Sequence, residues 1–241
     1  MIIGGLEKLT LLDYPDHLAA IIFTQGCNFR CHFCYNPMLV LPREGGDVKI
    51  KKEKGFPPLS TENLFLFLTE RFGRLEGVVI TGGEPTLHPD LPDFIKQIKK
   101  IGYLVKLDTN GTNPDMLAGL IKAKLIDYIA MDIKAPLKRY SEVVGAGVDC
   151  KKIEKSVKMI IESGLPYEFR TTVVPGLLDQ ADFEEMGVLI KGASKWYLQN
   201  FKSDTGLVDD SFEQKAGYTA KEMAAFAASG QKYVDLCEVR G

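Results

Sequence analysis

Short apolar runs alternate along the chain with stretches whose apolar residues recur every three or four positions. The first of these runs, residues 19–24, is continuously apolar, which predicts a β-strand covered on both faces. Runs of this kind predict strands at 19–24, 77–81, 104–108, 128–132, 167–174, 196–199 and, near the C-terminus, 233–239.

Amphipathic stripes fill the intervals between these runs and predict helices. Asn113 followed by Pro114 is typical of a helix N-cap with proline in the first turn. Thr219 and Glu222 form a capping box that begins a C-terminal helix. Six strand–helix units in series predict an α/β protein with a parallel sheet and right-handed crossovers. This periodicity leaves both a partly closed barrel and an open, doubly wound sheet possible.

The pattern predicts one domain over residues 1–241, in which residues 219–241 form a closing helix and strand. Residues 37–58, rich in proline, glycine and lysine, interrupt the pattern and are interpreted as an exposed loop. Their charge is typical of a solvated surface, and a contact with a partner protein is the alternative.

The composition is that of an ordinary soluble globular protein, with 45% hydrophobic and 26% charged residues. The net charge of −2 and a pI near 6.0 argue against a nucleic-acid binder. No apolar run approaches the roughly 18 residues of a membrane helix, and the N-terminus lacks the order of a signal peptide. We therefore expect a cytoplasmic protein that binds neither nucleic acid nor a membrane.

Three of the five cysteines, Cys27, Cys31 and Cys34, fall within the segment 25–37 that follows the first strand. An odd number of cysteines argues against a disulfide framework. A structural zinc site needs four protein ligands, and a fourth is not evident because His32 adjoins Cys31. A three-cysteine iron–sulfur cluster would leave one iron open for a substrate. The spacing alone leaves such a cluster, a zinc site and a fortuitous grouping as alternatives.

Further polar motifs follow the other predicted strands: Gly82-Gly83-Glu84-Pro85, Asp108-Thr109-Asn110-Gly111, Asp132-Ile133-Lys134, and Arg170 within the fifth strand. In parallel α/β folds, sites are built at the C-terminal edge of the strands, so we expect these motifs to converge there. Each motif taken alone is also typical of a turn or of a solvated lysine. Their joint occurrence favours a site.

The cysteine segment resembles the signature of the radical S-adenosylmethionine (SAM) family. It reads Cys27-x-x-x-Cys31-x-Phe33-Cys34, with an aromatic residue directly before the third cysteine. The segment 82–84 resembles the GGE motif of the same family and follows in the family's order. The resemblance implies a partial (β/α)6 barrel of parallel strands with outer helices.

Within that family, the chain is similar to the activating enzymes of glycyl-radical proteins. Its opening segment 4–15 and the exit from the cysteine segment, residues 34–37, look most like the activating proteins of anaerobic ribonucleoside-triphosphate reductases. The resemblance covers residues 4–201. At residues 13–16, however, the chain reads Asp-Tyr-Pro-Asp where many activating enzymes carry Asp-Gly-Pro-Gly.

The resemblance implies a [4Fe–4S] cluster ligated by the three cysteines, with SAM bound at the open iron and cleaved by one electron to methionine and a 5′-deoxyadenosyl radical. The residues it implies for cofactor binding are Phe33, Cys34, Tyr35, Gly82, Gly83, Glu84, Asp108, Thr109, Asp132, Ile133, Lys134 and Arg170.

These residues receive different roles from the resemblance. Phe33 and Tyr35 would flank the adenine, and Glu84 would accept hydrogen bonds from the SAM ammonium group. Lys134 and Arg170 would hold the SAM carboxylate and ribose region.

The glycine pair 82–83 would let the backbone approach SAM closely. Asp108, Thr109 and Asp132 resemble a monovalent-cation site beside the SAM carboxylate, and oxygen ligands of this kind suit hard cations.

The expected hydrogen donor is a backbone glycine of a larger partner, an anaerobic ribonucleotide reductase, with electrons from a flavodoxin- or ferredoxin-like protein. Only Cys150 and Cys237 remain outside the cysteine segment, too few for a second four-cysteine cluster, and we interpret them as incidental thiols. The alternatives are a radical SAM enzyme acting on a small molecule or another peptide, and a non-catalytic zinc-binding module.

Overall fold

The structure, a computed structural model, describes residues 1–40, 59–203, 206–213 and 215–240. Its strands are β1 (Ile3–Thr10), β2 (Ala19–Thr24), β3 (Gly77–Gly82), β4 (Leu104–Thr109), β5 (Tyr128–Asp132), β6 (Tyr167–Val173), β7 (Lys195–Asn200) and β8 (Leu236–Val239). Its α-helices are α1 (Pro37–Val40), α2 (Thr61–Arg71), α3 (Leu91–Ile101), α4 (Pro114–Lys122), α5 (Tyr140–Val143), α6 (Cys150–Glu162), α7 (Gln180–Leu189) and α8 (Ala220–Gly230).

The chain divides into two compact units, of which the first comprises Met1–Asn28, Met38–Thr109 and Asp115–Ile129. In this unit β2, β3 and β4 are parallel neighbours, as the sequence predicts, and β1 pairs antiparallel with β2. The sequence pattern did not predict β1. Its two consecutive glycines, Gly4 and Gly5, are depleted in strands and weakened the signal.

One buried apolar cluster of the first unit is formed by Tyr14, Ala19, Ile21, Val79 and Tyr128, with Phe23 and Leu104 packed against it. The helix α3 buries its apolar stripe and ends at Gly102, whose φ of 113° is left-handed. Glycine adopts that conformation without a steric penalty. An amphipathic stripe thus forms a helix here, as the sequence pattern predicts.

The second unit comprises Phe29–Pro37, Asn110–Pro114 and Ala130–Gly241. Here β6, β7 and β8 are parallel neighbours. The ring of Phe183 on α7 stacks on Trp196 of β7 at a centroid distance of 4.2 Å. The predicted capping box of Thr219 and Glu222 begins α8. The last strand is shorter than the predicted 233–239, because Tyr233 still belongs to the turn after α8 and donates its N–H to Gly230 O.

The boundary between the first and second units falls within β5, between Ile129 and Ala130. Just before it, Asp127 N donates to Val105 O at 2.8 Å within the first unit. Just after it, Ile133 N donates to Arg170 O at 2.8 Å within the second. A single domain over residues 1–241 stays a prediction.

The interval 37–58, predicted to be an exposed loop, begins with a short helix. In its described part, α1 buries Leu39 and Val40, which departs from that prediction. Leu39 packs so closely on β1 that a Cβ added at Gly4 would lie 2.3 Å from Leu39 Cδ2. The remainder of the predicted loop, residues 41–58, lies outside the described residues. None of the helices in the described segments has the length and apolar character of a membrane span.

Candidate functional site

In the first unit, the end of β3 packs against the chain that leads into the cysteine segment. Gly83 N donates to Thr24 O at 2.9 Å, and Glu84 N donates to Gly26 O at 2.8 Å. A Cβ added at Gly82 would lie 2.3 Å from Thr24 N, and one added at Gly83 would lie 2.0 Å from Gly26 O. The two glycines of the predicted motif are therefore required for the backbone contact itself.

The carboxylate of Glu84 is buried, with 1% of the residue exposed. Its Oε1 accepts hydrogen bonds from Thr86 N at 3.1 Å, from Thr86 Oγ1 at 2.5 Å and from Thr109 Oγ1 at 2.8 Å. The first of these bonds caps a 3₁₀ turn at Pro85–Leu87. The structure thus brings Glu84 and Thr109, two of the predicted site residues, into direct contact.

At the end of β4, the predicted residue Asp108 forms an ion pair that the sequence analysis missed. Lys106 Nζ lies 2.7 Å from Asp108 Oδ1, and only 1% of the Lys106 side chain is exposed. The same ammonium lies 5.8 Å from the centroid of the Tyr128 ring. The signal was present in the sequence, because residues i and i+2 of a strand share one face. A lysine within an apolar strand requires a buried partner.

In the second unit, the last two cysteines of the motif share one turn, in which Cys34 N donates to Cys31 O at 3.1 Å. Cys31 and Phe33 are buried, and Cys34 is half-buried. Burial raises the pKa of the Cys34 thiol, against opposite effects of the Asn36 backbone N–H and the Lys134 ammonium. Lys134 Nζ also lies 6.0 Å from the centroid of the Phe33 ring.

Three predicted residues form an ionic cluster at the end of β5. Arg170 Nε lies 3.0 Å from Asp132 Oδ1, and Lys134 Nζ lies 3.1 Å from Asp132 Oδ2. Burial raises the pKa of Asp132, but the two cations outweigh it and lower this pKa to about 2. Burial lowers the pKa of Lys134, and the Asp132 carboxylate more than offsets this, so that the net shift is upward. One carboxylate, that of Asp132, thus holds an ammonium and a guanidinium side by side.

The remaining predicted residues are held by neighbours within the second unit. Ile133 is buried, and its carbonyl accepts a hydrogen bond from Thr171 Oγ1 at 2.9 Å. The Tyr35 hydroxyl accepts from Lys202 N at 2.9 Å, and the Tyr35 ring stacks on Phe201 at a centroid distance of 6.3 Å. No periodic signal in the sequence pointed to this last contact.

The thiols of the motif have the donor chemistry of an iron–sulfur cluster, whose irons are held by cysteine thiolates. In the described segments, no three side chains of His, Cys, Asp or Glu are grouped to hold a single metal ion. In a cluster each cysteine ligates a different iron, so the sulfurs are not required to converge on one point. The three thiols therefore have the donor chemistry that a three-cysteine iron–sulfur cluster needs.

Comparison with known proteins agrees with this chemistry. Residues 21–187 match the family model of the radical SAM superfamily. Over 244 aligned residues the chain is 31% identical to a protein of Methanocaldococcus jannaschii that carries the name of a glycyl-radical enzyme activating enzyme, with 99% of this chain and 95% of that protein covered.

Two solved structures share the fold. One is Streptococcus suis SuiB bound to S-adenosylmethionine, with a TM-score of 0.65 and 16% identity over 92% of this chain and 50% of that one. The other is a domain of pyruvate-formate lyase-activating enzyme from Bacteroides vulgatus, with a TM-score of 0.55 and 18% identity over 69% of this chain and 99% of that one. The predicted α/β fold, parallel strands with outer helices, is confirmed.

Proposed function

The chain belongs to the radical SAM superfamily, and from this premise we propose that it activates an anaerobic ribonucleoside-triphosphate reductase by taking a hydrogen atom from a backbone glycine of that partner. The chain is a radical SAM enzyme of the glycyl-radical activating type, which uses a [4Fe–4S] cluster and SAM. The observation that carries the proposed activase type is the near full-length similarity to a protein named as a glycyl-radical enzyme activating enzyme. The segments 4–15 and 34–37 favour the reductase as partner.

Cys27, Cys31 and Cys34 are the proposed ligands of the cluster. When bound, the cluster and SAM supply a one-electron cleavage that yields methionine and a radical able to abstract hydrogen. The hydrogen bond from Cys34 N to Cys31 O closes a turn that fixes the backbone between two of these ligands. A flavodoxin- or ferredoxin-like protein is the proposed source of the electron.

Lys134 and Arg170 are the proposed ligands of the SAM carboxylate. An ammonium and a guanidinium both bind carboxylates through charge-assisted hydrogen bonds, and these two cations lie side by side on Asp132. Asp132 holds both cations in place through its two oxygens. Its proposed role is thus to orient them, and Ile133 anchors the segment that carries them.

Glu84 is the proposed acceptor for the SAM ammonium group, and its three hydrogen bonds through Oε1 fix the carboxylate before SAM arrives. Gly82 and Gly83 provide a backbone edge without side chains. Phe33 and Tyr35 are proposed to border the adenine.

A monovalent cation at Asp108, Thr109 and Asp132 belongs to the same proposal. Lys106 already places an ammonium beside Asp108. Measuring SAM cleavage with and without added potassium or sodium tests whether a further cation is required.

The decisive experiment is anoxic reconstitution with iron, sulfide, SAM and a reductant, assayed for 5′-deoxyadenosine and for a glycyl EPR signal on an added anaerobic ribonucleotide reductase. We expect brown protein, 5′-deoxyadenosine and a glycyl doublet on the reductase. SAM cleavage without a doublet on this partner or on other glycyl-radical proteins would favour a small-molecule or peptide substrate. Colourless, zinc-loaded protein would overturn the radical SAM assignment.

A matched pair of cysteine variants tests the ligands. Cys31→Ala should abolish iron uptake and SAM cleavage, whereas Cys150→Ala, at the half-buried start of α6, should retain both. Release of 5′-deoxyadenosine by the Cys31→Ala protein at the wild-type rate would contradict the cluster assignment. An Asp132→Ala/Lys134→Ala double variant should lose SAM cleavage while it retains its iron.

A further inference from the structure

A segment after β7 contacts the cysteine turn on both sides of Cys34. We define the clasp as residues 201–203 and 206–212. We propose that the clasp positions the turn from Cys31 to Cys34, with Asp209 and Phe212 acting on it through His32. The inference rests on the proposed cluster at these cysteines and adds positioning residues that none of the sequence motifs contains.

Two hydrogen bonds join Asp209 to His32, the residue between Cys31 and Phe33. The backbone N–H of Asp209 donates to His32 O at 3.1 Å. The imidazole Nδ1 of His32 lies 3.0 Å from Asp209 Oδ2, and the imidazole donates because a carboxylate only accepts. The backbone and side chain of one clasp residue therefore hold the backbone and side chain of one loop residue.

The Asp209 carboxylate is itself oriented. Its Oδ1 accepts from Ser211 N at 2.9 Å and caps a 3₁₀ turn at Asp210–Phe212. That turn carries Phe212, whose ring stacks on the His32 ring with 15° between the planes and 5.8 Å between the centroids. The cap and the ring together fix His32 from two directions.

On the other side of Cys34, the clasp holds Tyr35. Phe201 stacks on the Tyr35 ring, and Lys202 N donates to the Tyr35 hydroxyl at 2.9 Å. Phe201 and Phe212 meet edge to face at 6.5 Å. The row of four rings is thus continuous and consists of two loop residues and two buried clasp residues.

This arrangement has a chemical consequence for a cluster bound at these cysteines. The reduction potential and stability of such a cluster depend on ligand geometry, on hydrogen bonds near the sulfurs and on solvent exposure. The clasp touches the residues directly before and after the Phe33–Cys34 pair, so loosening it changes these quantities at Cys34. Asp209 and Phe212 ligate nothing themselves and are positioning residues.

Asp209→Asn removes the negative charge that strengthens the side-chain bond to His32, and Asp210→Asn is its matched control. Asp210 is the next residue, is exposed and lies in the same 3₁₀ turn. In anoxically reconstituted protein we expect Asp209→Asn to lose iron to a chelator about 10-fold faster than wild type, the lower end of the effect of outer-shell partners on metal sites. We also expect a shifted midpoint potential and an altered EPR signal of the reduced cluster. Asp210→Asn should match wild type in all three.

A second pair of variants separates positioning from folding. Phe212→Ala removes the ring that stacks on His32 and should reproduce the faster loss of iron, while Phe212→Tyr keeps a ring there and should restore retention. Wild-type thermal unfolding of the cluster-free Asp209→Asn protein would show that the fold is intact.

The outcomes are distinguishable. If wild-type protein binds a cluster and Asp209→Asn equals Asp210→Asn in retention, potential and EPR signal, the clasp inference is overturned and the proposed function stands. If wild-type protein binds no cluster, the proposed function fails instead.

Discussion

The two compact units each place an aspartate at a strand end beside a lysine two residues away, yet the two pairs differ in depth. In the first unit Lys106 precedes Asp108 and lies inside β4, where 1% of its side chain is exposed. In the second unit Lys134 follows Asp132 beyond the end of β5, and 18% of its side chain is exposed. The same spacing gives a deep pair when the lysine comes first and an accessible pair when it comes second.

The accessible pair also gains a further cation from β6, Arg170. The accessible pair is the one that we propose to bind the SAM carboxylate, whereas the ammonium of the deep pair is closed off from solvent. The comparison teaches that the order of the two residues along a strand decides whether the lysine is enclosed or reaches the surface.

The largest expected effect comes from breaking the deep pair. Lys106→Met leaves the Asp108 carboxylate buried beside an apolar side chain, which should destabilise the protein by about 3–5 kcal/mol. Urea unfolding of the cluster-free protein measures this. The double variant Lys106→Met/Asp108→Leu removes both charges and should recover most of the loss. A single variant within about 1 kcal/mol of wild type would show that the pair is accessible to water after all.

The next effect concerns how the ion pairs of Asp132 with Lys134 and Arg170 change the stability of the protein in acid. The pKa of Asp132 lies near 2 in the folded protein and near 3.9 in an unfolded chain. A lowered pKa stabilises the folded state above the unfolded value, and this stabilisation disappears as pH falls through the folded value. The stability difference between wild type and Asp132→Asn should therefore shrink by about 2 kcal/mol from pH 5 to pH 2. A difference that stays constant over this range contradicts the assignment.

A smaller effect is expected on SAM binding. Lys134→Met leaves Arg170 as the cation paired with Asp132. This variant should bind SAM about 10-fold more weakly, equivalent to about 1.4 kcal/mol. Lys138→Met is the control, because Lys138 is exposed and pairs with Glu185 on the protein surface. Equilibrium dialysis of the anoxically reconstituted proteins compares the two. Equal losses in both variants would mean that only overall charge matters.

The smallest effect is expected from an exposed ion pair on the protein surface. Lys96 on α3 pairs with Asp93 at 2.8 Å, and 54% of its side chain is exposed. Lys96→Ala should change the free energy of unfolding by less than about 0.5 kcal/mol, since surface pairs of this kind contribute little. A larger loss in urea unfolding would show that depth does not rank these pairs.

Much of the fold followed from the sequence because its parallel strands are continuous apolar runs. The predicted strands at 19–24 and 128–132 agree with β2 and β5 residue for residue. The strand β1 escaped prediction because Gly4 and Gly5 interrupt its apolar pattern. The short helix α1 was assigned to a loop because proline and glycine dominate the residues that surround it.

The candidate site was predictable where a motif ends a strand and not where distant segments meet. Asp132 and Lys134 were predicted as site residues because they follow the end of β5, whereas Arg170 lies within β6 and was assigned by resemblance, and the ion pairs that join the three were not predicted. Lys106 was missed, although its alternation with Asp108 places both on one face. The clasp residues Asp209 and Phe212 carry no periodic signal, because their partner His32 is 177 residues away from Asp209.

The close approach of Gly83 to Gly26 sets a limit for protein engineering. With a hypothetical methyl group only 2.0 Å from a carbonyl oxygen, saturation mutagenesis at position 83 should yield functional clones with glycine alone. Even alanine there would push the strand leading to Cys27 aside. Libraries intended to redirect such an enzyme toward new substrates should therefore keep both Gly26 and Gly83 and vary the surrounding side chains.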